Sequence, residues 1–184
     1  MTDAITEAAF AELAEVGYAR MSMEAVARRA GVGKAALYRR WPSKQAMVTE
    51  LIRNKVTDTL PPTPATGALH TDLRELLATI RGQLDNPLLT RIAAGLLTEA
   101  SRDGTLAEML NTGVTAPRRA AAHAILQGAI DRGELPPGLD LELGTDLLIA
   151  PLVFRMLVIQ GRSDDEYLET LTNALEAALK AAVR

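Results

Sequence analysis

The chain has 184 residues, of which 48% are apolar and only 3% aromatic, and its formal net charge is −3. Such a composition excludes wholesale disorder, and with so few rings the core must be built from Ala, Leu, Val, Ile and Met. There is no cysteine and there are only two histidines, His70 and His123, so disulfides and thiolate sites are excluded and neither a metal nor a cofactor is expected. No segment alternates with period two, and an all-α fold of about nine helices is the economical expectation. No basic-apolar signal segment opens the chain and no apolar run is long enough to span a bilayer. A cytoplasmic protein with no membrane contact is expected.

Ile5, Ala9, Leu13 and Val16 recur at helical spacing, and Gly17 stops that first helix. Ser22 caps a short second helix, Met23 to Ala30, which Gly31 closes. A third runs from about Gly33 to Arg39, ahead of Trp41-Pro42, because proline disfavours an α conformation in the residue before it. Ser43 then caps a fourth helix reaching about Leu60. Pro61 to Gly67 cannot be helical and forms the clearest break in the chain. Five further helices are predicted at about 68–84, 87–100, 104–132, 141–160 and 164–182, the third of them weakened by Gly113 and Pro117. The domains expected are 1–45 and 46–184, with helix 43–60 as the link.

The second and third helices have the pattern of a helix-turn-helix. Ala27 is small enough to let the two approach, Gly31 takes the turn conformation, and Val26, Ala30, Val32 and Leu37 supply a shared apolar wedge. The outward face of the third helix carries Gly33, Lys34, Ala35, Tyr38 and Arg39. Charge points the same way: Arg20, Arg28, Arg29, Lys34, Arg39, Arg40 and Lys44 face one acid, Glu24, whereas the chain after Glu50 is net acidic. A basic patch on an acidic body grips phosphates locally and resists non-specific binding elsewhere. A charge run is more often a solvated face, and the helix-turn-helix spacing is what favours DNA here.

The stretch Ser22 to Lys44, SMEAVARRAGVGKAALYRRWPSK, resembles the DNA-binding signature of the TetR (tetracycline repressor) family. Tyr38, Trp41 and Lys44 fall at the family's spacing, and Ala8-Ala9 and Gly17-Tyr18 in the first helix match as well. The close resemblance covers about residues 4–55; beyond it only length, helix count and apolar character agree. One departure is that no Lys or Arg precedes Arg20, whereas many members carry a basic arm there.

The resemblance implies a homodimer whose third helices enter the two halves of a palindromic operator on double-stranded DNA. A helical C-terminal domain would hold a small-molecule pocket and the dimer contact. Ser22 and Lys44 would contact phosphates. Gly33, Lys34, Ala35 and Tyr38 would sit nearest the bases, flanked by Arg39 and Arg40. Trp41 would pack and position the helix, with its indole N–H near the DNA backbone.

The remaining expectations concern the C-terminal part. An effector pocket is placed among Leu106, Met109, Leu110, Ile125, Leu126 and Leu147, with His123 either at its edge or simply an interior histidine. The scarcity of aromatics there favours an apolar effector. Leu148, Leu152, Val153 and Met156, with Leu168, Leu171, Leu175 and Leu179, offer more apolar surface than one helix pair hides, and are expected to form the dimer interface. Arg155 needs a partner, an acid across an interface being the simplest. The function expected is a repressor released from its operator by a small molecule. The alternative is an effector-independent architectural DNA-binding protein. An enzyme is not expected, since no nucleophile–base pair, phosphate loop or metal spacing occurs.

Overall fold

The computed structural model describes residues 2–59 and 62–182. Their regular structure is all helical: α1 (Thr2–Arg20), α2 (Met23–Arg29), α3 (Lys34–Arg40), α4 (Lys44–Thr59), α5 (Leu69–Leu84), α6 (Pro87–Ala100), α7 (Gly104–Leu110), π1 (Asn111–Thr115), α8 (Ala116–Asp131), α9 (Leu141–Val153), π2 (Phe154–Val158) and α10 (Asp165–Ala181). Because α7 runs through π1 into α8, and α9 runs into π2, the described residues form nine helical rods, the number expected. Leu60 and Pro61, where the fourth helix was expected to end and the break to begin, lie outside the described residues.

The helix starts follow local chemistry. Ser22, Asn86, Asp103, Asp140 and Asp164 each sit before a helix in extended backbone and accept from N–H groups of its first turn. Gly113 and Pro117 do not break the helix around them. The chain widens into π1 instead, which absorbs the misfit while keeping the backbone hydrogen-bonded. Pro151 is likewise tolerated inside α9, with π2 following it.

The helices pack as two compact units. The first comprises Met1–Thr59 with Asn86–Thr115, the second Leu60–Asp85 with Ala116–Arg184. In the first unit Val26, Leu37, Trp41 and Met47 close one core with Ile92, Leu96, Leu106 and Met109. Packing therefore draws this unit wider than the expected boundary at residue 45. The helix-turn-helix is too small to bury its own apolar residues, and α4, α6 and α7 complete the core.

The second unit is a bundle of α5, α8, α9 and α10 around Leu73, Leu77, Leu126, Leu148, Leu152, Leu168 and Leu179. This corrects the expected interface. Leu148, Leu152, Met156, Leu168, Leu175 and Leu179 are all buried in the core of their own chain, and Val153 and Leu171 are half-buried against it. The exposed apolar groups of this region are Leu143, Phe154, Val158 and Ile159. Arg155 has partners within its own chain. Its Nε donates to the Arg162 carbonyl at 2.7 Å, and its guanidinium lies 4.1 Å from the centre of the Tyr167 ring.

Asp72, 1% exposed, ties the entry loop of this unit to α5. It accepts from the Thr66 N–H at 2.7 Å, the Thr66 hydroxyl at 2.8 Å and Arg132 at 3.2 Å. Asp72→Ala removes a buried acceptor and the three hydrogen bonds that hold the Thr66 loop and Arg132 to α5, and should cost about 1–3 kcal/mol, read as a lower urea midpoint at unchanged slope.

Candidate DNA interface

The geometry of the site begins with a break in α1. Gly17 has φ 77° and ψ 166°, a conformation that side chains strain to adopt, and the chain turns there before Tyr18–Arg20. The carbonyls of Tyr18 and Ala19 are then met by Lys44 Nζ, at 2.7 and 3.2 Å. The same ammonium lies 4.5 Å from the centre of the Tyr18 ring. Burial pushes the Lys44 amine below its usual value, with Glu99 and Asp103 opposing. Lys44 is thus a strut between the end of α1 and the start of α4.

Ser22 caps α2 by accepting from the Ala25 N–H at 3.1 Å, a bond that does not use its own O–H. Gly31, at φ 66°, makes the turn, and the Val32 N–H donates to the Ala27 carbonyl at 3.0 Å. Val26, Ala27 and Leu37 are buried where α2 meets α3, with Ala30 and Val32 half-buried beside them. The expected wedge is present.

Gly33, Lys34, Ala35, Tyr38, Arg39 and Arg40 are all exposed, so α3 presents to solvent the face that was expected to meet DNA. Trp41 is different. It is 1% exposed in the core of the first unit, and its Nε1 is buried without a hydrogen-bond partner among the described residues. The indole positions α3, as expected, but its N–H is turned inward. Arg40 covers the indole at 4.3 Å from the ring centre and reaches Glu50 at 3.3 Å.

The basic residues divide by what they touch. Arg29 makes two hydrogen bonds to Glu15, at 2.8 and 2.5 Å, and a longer contact with Glu12, which docks α2 on α1. Arg20 Nε donates to the Val16 carbonyl at 3.1 Å. Lys34 pairs with Glu24 at 2.5 Å, and the Tyr38 hydroxyl donates to the same carboxylate at 3.3 Å. Arg28 and Arg39 are exposed and pair with no carboxylate among the described residues. Sequence reasoning missed the α1 acids. Glu12 and Glu15 are three apart on one helix face, but their partner lies 14 residues beyond Glu15.

Of the proposed pocket, Leu106 and Met109 are buried in the first unit's core and Leu110 is half-buried against it. Ile125 and Leu126 are buried in the second unit's core, Leu147 packs against that core, and His123 is exposed. The cleft of the second unit is lined by other residues, among them Leu76, Thr79, Ile80, Gln83, Arg118, Ala121 and Ile149.

A buried wedge under a short helix with an exposed polar and basic face defines a helix-turn-helix DNA-binding regulator. The comparisons give the family. Residues 5–51 match the bacterial regulatory proteins of the tetR family, and residues 63–175 match the tetracyclin repressor-like C-terminal domain. An uncharacterized HTH-type transcriptional regulator of Bacillus subtilis, YdeS, is 34% identical over 175 residues, covering 91% of this chain and 84% of that protein. A DNA-binding transcriptional repressor TetR of Mycobacteroides abscessus is 28% identical over 157 residues, covering 85% and 82%. Among solved structures, the TetR family transcription regulator SCO0332 superposes with a TM-score of 0.73 at 30% identity, covering 96% of each chain. FadR of Bacillus subtilis in complex with stearoyl-CoA has a TM-score of 0.75 at 18% identity over 100% of each chain, a likeness of fold. The chain belongs to the TetR family of transcriptional regulators. Among the described residues no helix is long and apolar enough to cross a membrane, and no group of three or more His, Cys, Asp or Glu could hold a metal.

Lys44→Met keeps the aliphatic stem and removes the strut. It should cost about 1–3 kcal/mol of stability, because a charged donor to two carbonyls is lost. With the ammonium committed to α1, the slope of log K for DNA against log salt should stay as in the parent. A slope shallower by about 0.9 would instead mark Lys44 as a phosphate contact.

Proposed function

We propose that this chain is a homodimeric repressor that reads a palindromic operator with α3 and is released by a small, largely apolar effector. The observation that supports operator reading is the exposed face Gly33, Lys34, Ala35, Tyr38 and Arg39 on a helix locked from behind by Leu37 and Trp41. Ser22 contributes its hydroxyl proton to a phosphate, and Arg39 and Arg40 flank the base-reading residues. Selection of bound sites from a random DNA pool tests this directly. A two-fold symmetric consensus is expected, and Tyr38→Ala should weaken binding to it about tenfold or more at unchanged helicity. A selection that returned no preferred sequence would leave only phosphate-driven binding and remove the operator.

The second copy docks, in this reading, on the outer side of α9. Leu143, Leu147, Ala150, Phe154 and Val158 follow one another at helical spacing, and all but the half-buried Leu147 are exposed. The outer side of α10 is small, with exposed Thr170, Asn173, Ala174, Ala177 and Ala181. A large apolar stripe beside a small one is self-complementary, which a two-fold interface requires. Phe154→Glu should therefore give a monomer by sedimentation at micromolar concentration. A dimer of parental affinity would move the interface elsewhere.

The effector enters the cleft of the second unit. Its walls are Leu76, Ile80, Ala121 and Ile149, and its polar groups are Gln83 and Arg118, where Arg118 NH2 donates to Gln83 Oε1 at 3.0 Å. Burial holds the Arg118 guanidinium below its usual value. Apolar walls with one cationic group suit an apolar molecule carrying an acidic end, and FadR of the same fold was solved with stearoyl-CoA. Release requires only that the effector bind the DNA-incompetent state better than the competent one. Ala121→Phe should fill the cleft and abolish release at intact operator affinity. Normal release in that variant would remove the cleft as the effector site.

A further inference from the structure

Glu24 is the lone acid between Arg20 and Lys44, and it stands on the surface that faces DNA in the reading above. It lies in the first turn of α2 with an exposed side chain. Its Oε1 is 2.5 Å from Lys34 Nζ and 3.3 Å from the Tyr38 hydroxyl, which donates to it. Lys34 and Tyr38 are one turn apart on the outer side of α3, and the ammonium sits 5.6 Å from the centre of the Tyr38 ring. One carboxylate therefore gathers the Lys34 ammonium and the Tyr38 hydroxyl on one side of α3.

This pairing does not hold the motif together. The buried wedge and the Arg29–Glu15 bonds already dock α2, and Ser22 already caps it. The Lys34 bond, more than any other influence, keeps the Glu24 carboxyl below its ordinary value, so it is ionised at neutral pH. Arg28 and Arg39 carry no such counter-charge among the described residues.

We infer that Glu24 is a specificity-determining residue of the DNA interface, a carboxylate that sequesters Lys34 and Tyr38 until a DNA site replaces both contacts. A random duplex offers a phosphate to Lys34 but leaves Glu24 facing a polyanion with no donor. A site that places the N4 amino group of a cytosine within reach gives the carboxylate a hydrogen bond, since that group is the base donor that Glu accepts from in the major groove. Lys34 and Tyr38 are then released to the DNA at no loss to Glu24. The same acid thus suppresses generic binding and rewards one base.

The inference rests on α3 as the reading helix, and the test separates the two. Operator and random-duplex affinities are measured across a salt series for the parent, Glu24→Gln, Lys34→Met and the double variant, with thermal unfolding as a check on folding. Glu24→Gln should bind random duplex on the order of threefold to tenfold more tightly at low salt. Its salt slope on random duplex should steepen by about 0.9, as Lys34 passes to a phosphate. The operator-to-random ratio should narrow, and a repeated site selection with Glu24→Ala should lose a cytosine preference in each half-site. In the Lys34→Met background the gain from Glu24→Gln should shrink, because the acid acts through that lysine. Equal tightening on both DNAs, an unchanged salt slope, or the same gain with and without Lys34 would each overturn the sequestering role. Should α3 not be the reading helix, Tyr38→Ala would leave operator binding intact; should only the Glu24 inference fail, Tyr38→Ala would still weaken it.

Discussion

A helix of seven residues does not stand alone in water, because its few internal hydrogen bonds do not offset the cost of nucleation. Both α2 and α3 have that length, so their existence and orientation come from what they bury. Leu37 and Trp41, both essentially inaccessible, fasten α3 at its middle and at its end. Among the described residues the indole N–H of Trp41 has no partner in the core, an unfavourable placement for a polar group. The ring's burial outweighs it, and Arg40 covers the remaining face. Lys34, Ala35, Tyr38 and Arg39, on the outer side of α3, are exposed and take no part in that core.

The same division runs through the charges. Read as a string, the residues from Arg20 to Lys44 form one basic patch; in the structure they have separate tasks. Arg29 and Lys44 are fastened to α1, one by carboxylates and the other by backbone carbonyls. Arg40 is engaged with Glu50 and Trp41. In the reading proposed here, the field offered to DNA is accordingly narrower than the sequence suggests, centred on Arg28, Arg39 and the Glu24-bound Lys34. A narrow field on an acidic chain favours selectivity over grip, since generic affinity rises with the number of phosphates neutralised.

Helix order and bounds were legible because punctuation is local. A Ser, Asn or Asp with its own N–H partners two or three residues on, a Gly at positive φ, and a Pro after a helix each act within one turn. The wedge residues Val26, Ala27 and Leu37 were legible for the same reason, lying within six residues of Gly31. Partners far apart in sequence were not. Nothing in the string ties Lys44 to a carbonyl 26 residues earlier, and its spacing in the family signature suggested a phosphate contact instead. The facing of α9 was also illegible. Between Leu141 and Val153 the only charged residues are Glu142 and Asp146, so periodicity cannot say which leucines turn inward. Leu148 and Leu152, expected at the dimer interface, are core.

That ambiguity has a physical consequence for how the second unit is built. A helix apolar all round must be covered on both sides, and α5, α8 and α10 cover only one side of α9 within the chain. Gly144 shows how tightly that inner side is closed, since a Cβ there would stand 3.0 Å from Leu126 Cδ1 and 3.2 Å from Leu179 Cδ2. The inner side therefore has no capacity for a further partner, and the uncovered apolar surface lies on the outer one at Leu143, Phe154 and Val158. Contiguous exposed apolar residues along one helix mark a surface that another molecule covers. Since α3 reads half of a two-fold site in the reading proposed here, a second copy is the occupant that satisfies both demands with one contact: it covers α9 and supplies the other α3. The apolar excess of α9 and the exposed face of α3 are then two parts of one requirement, that the chain bind DNA as a pair.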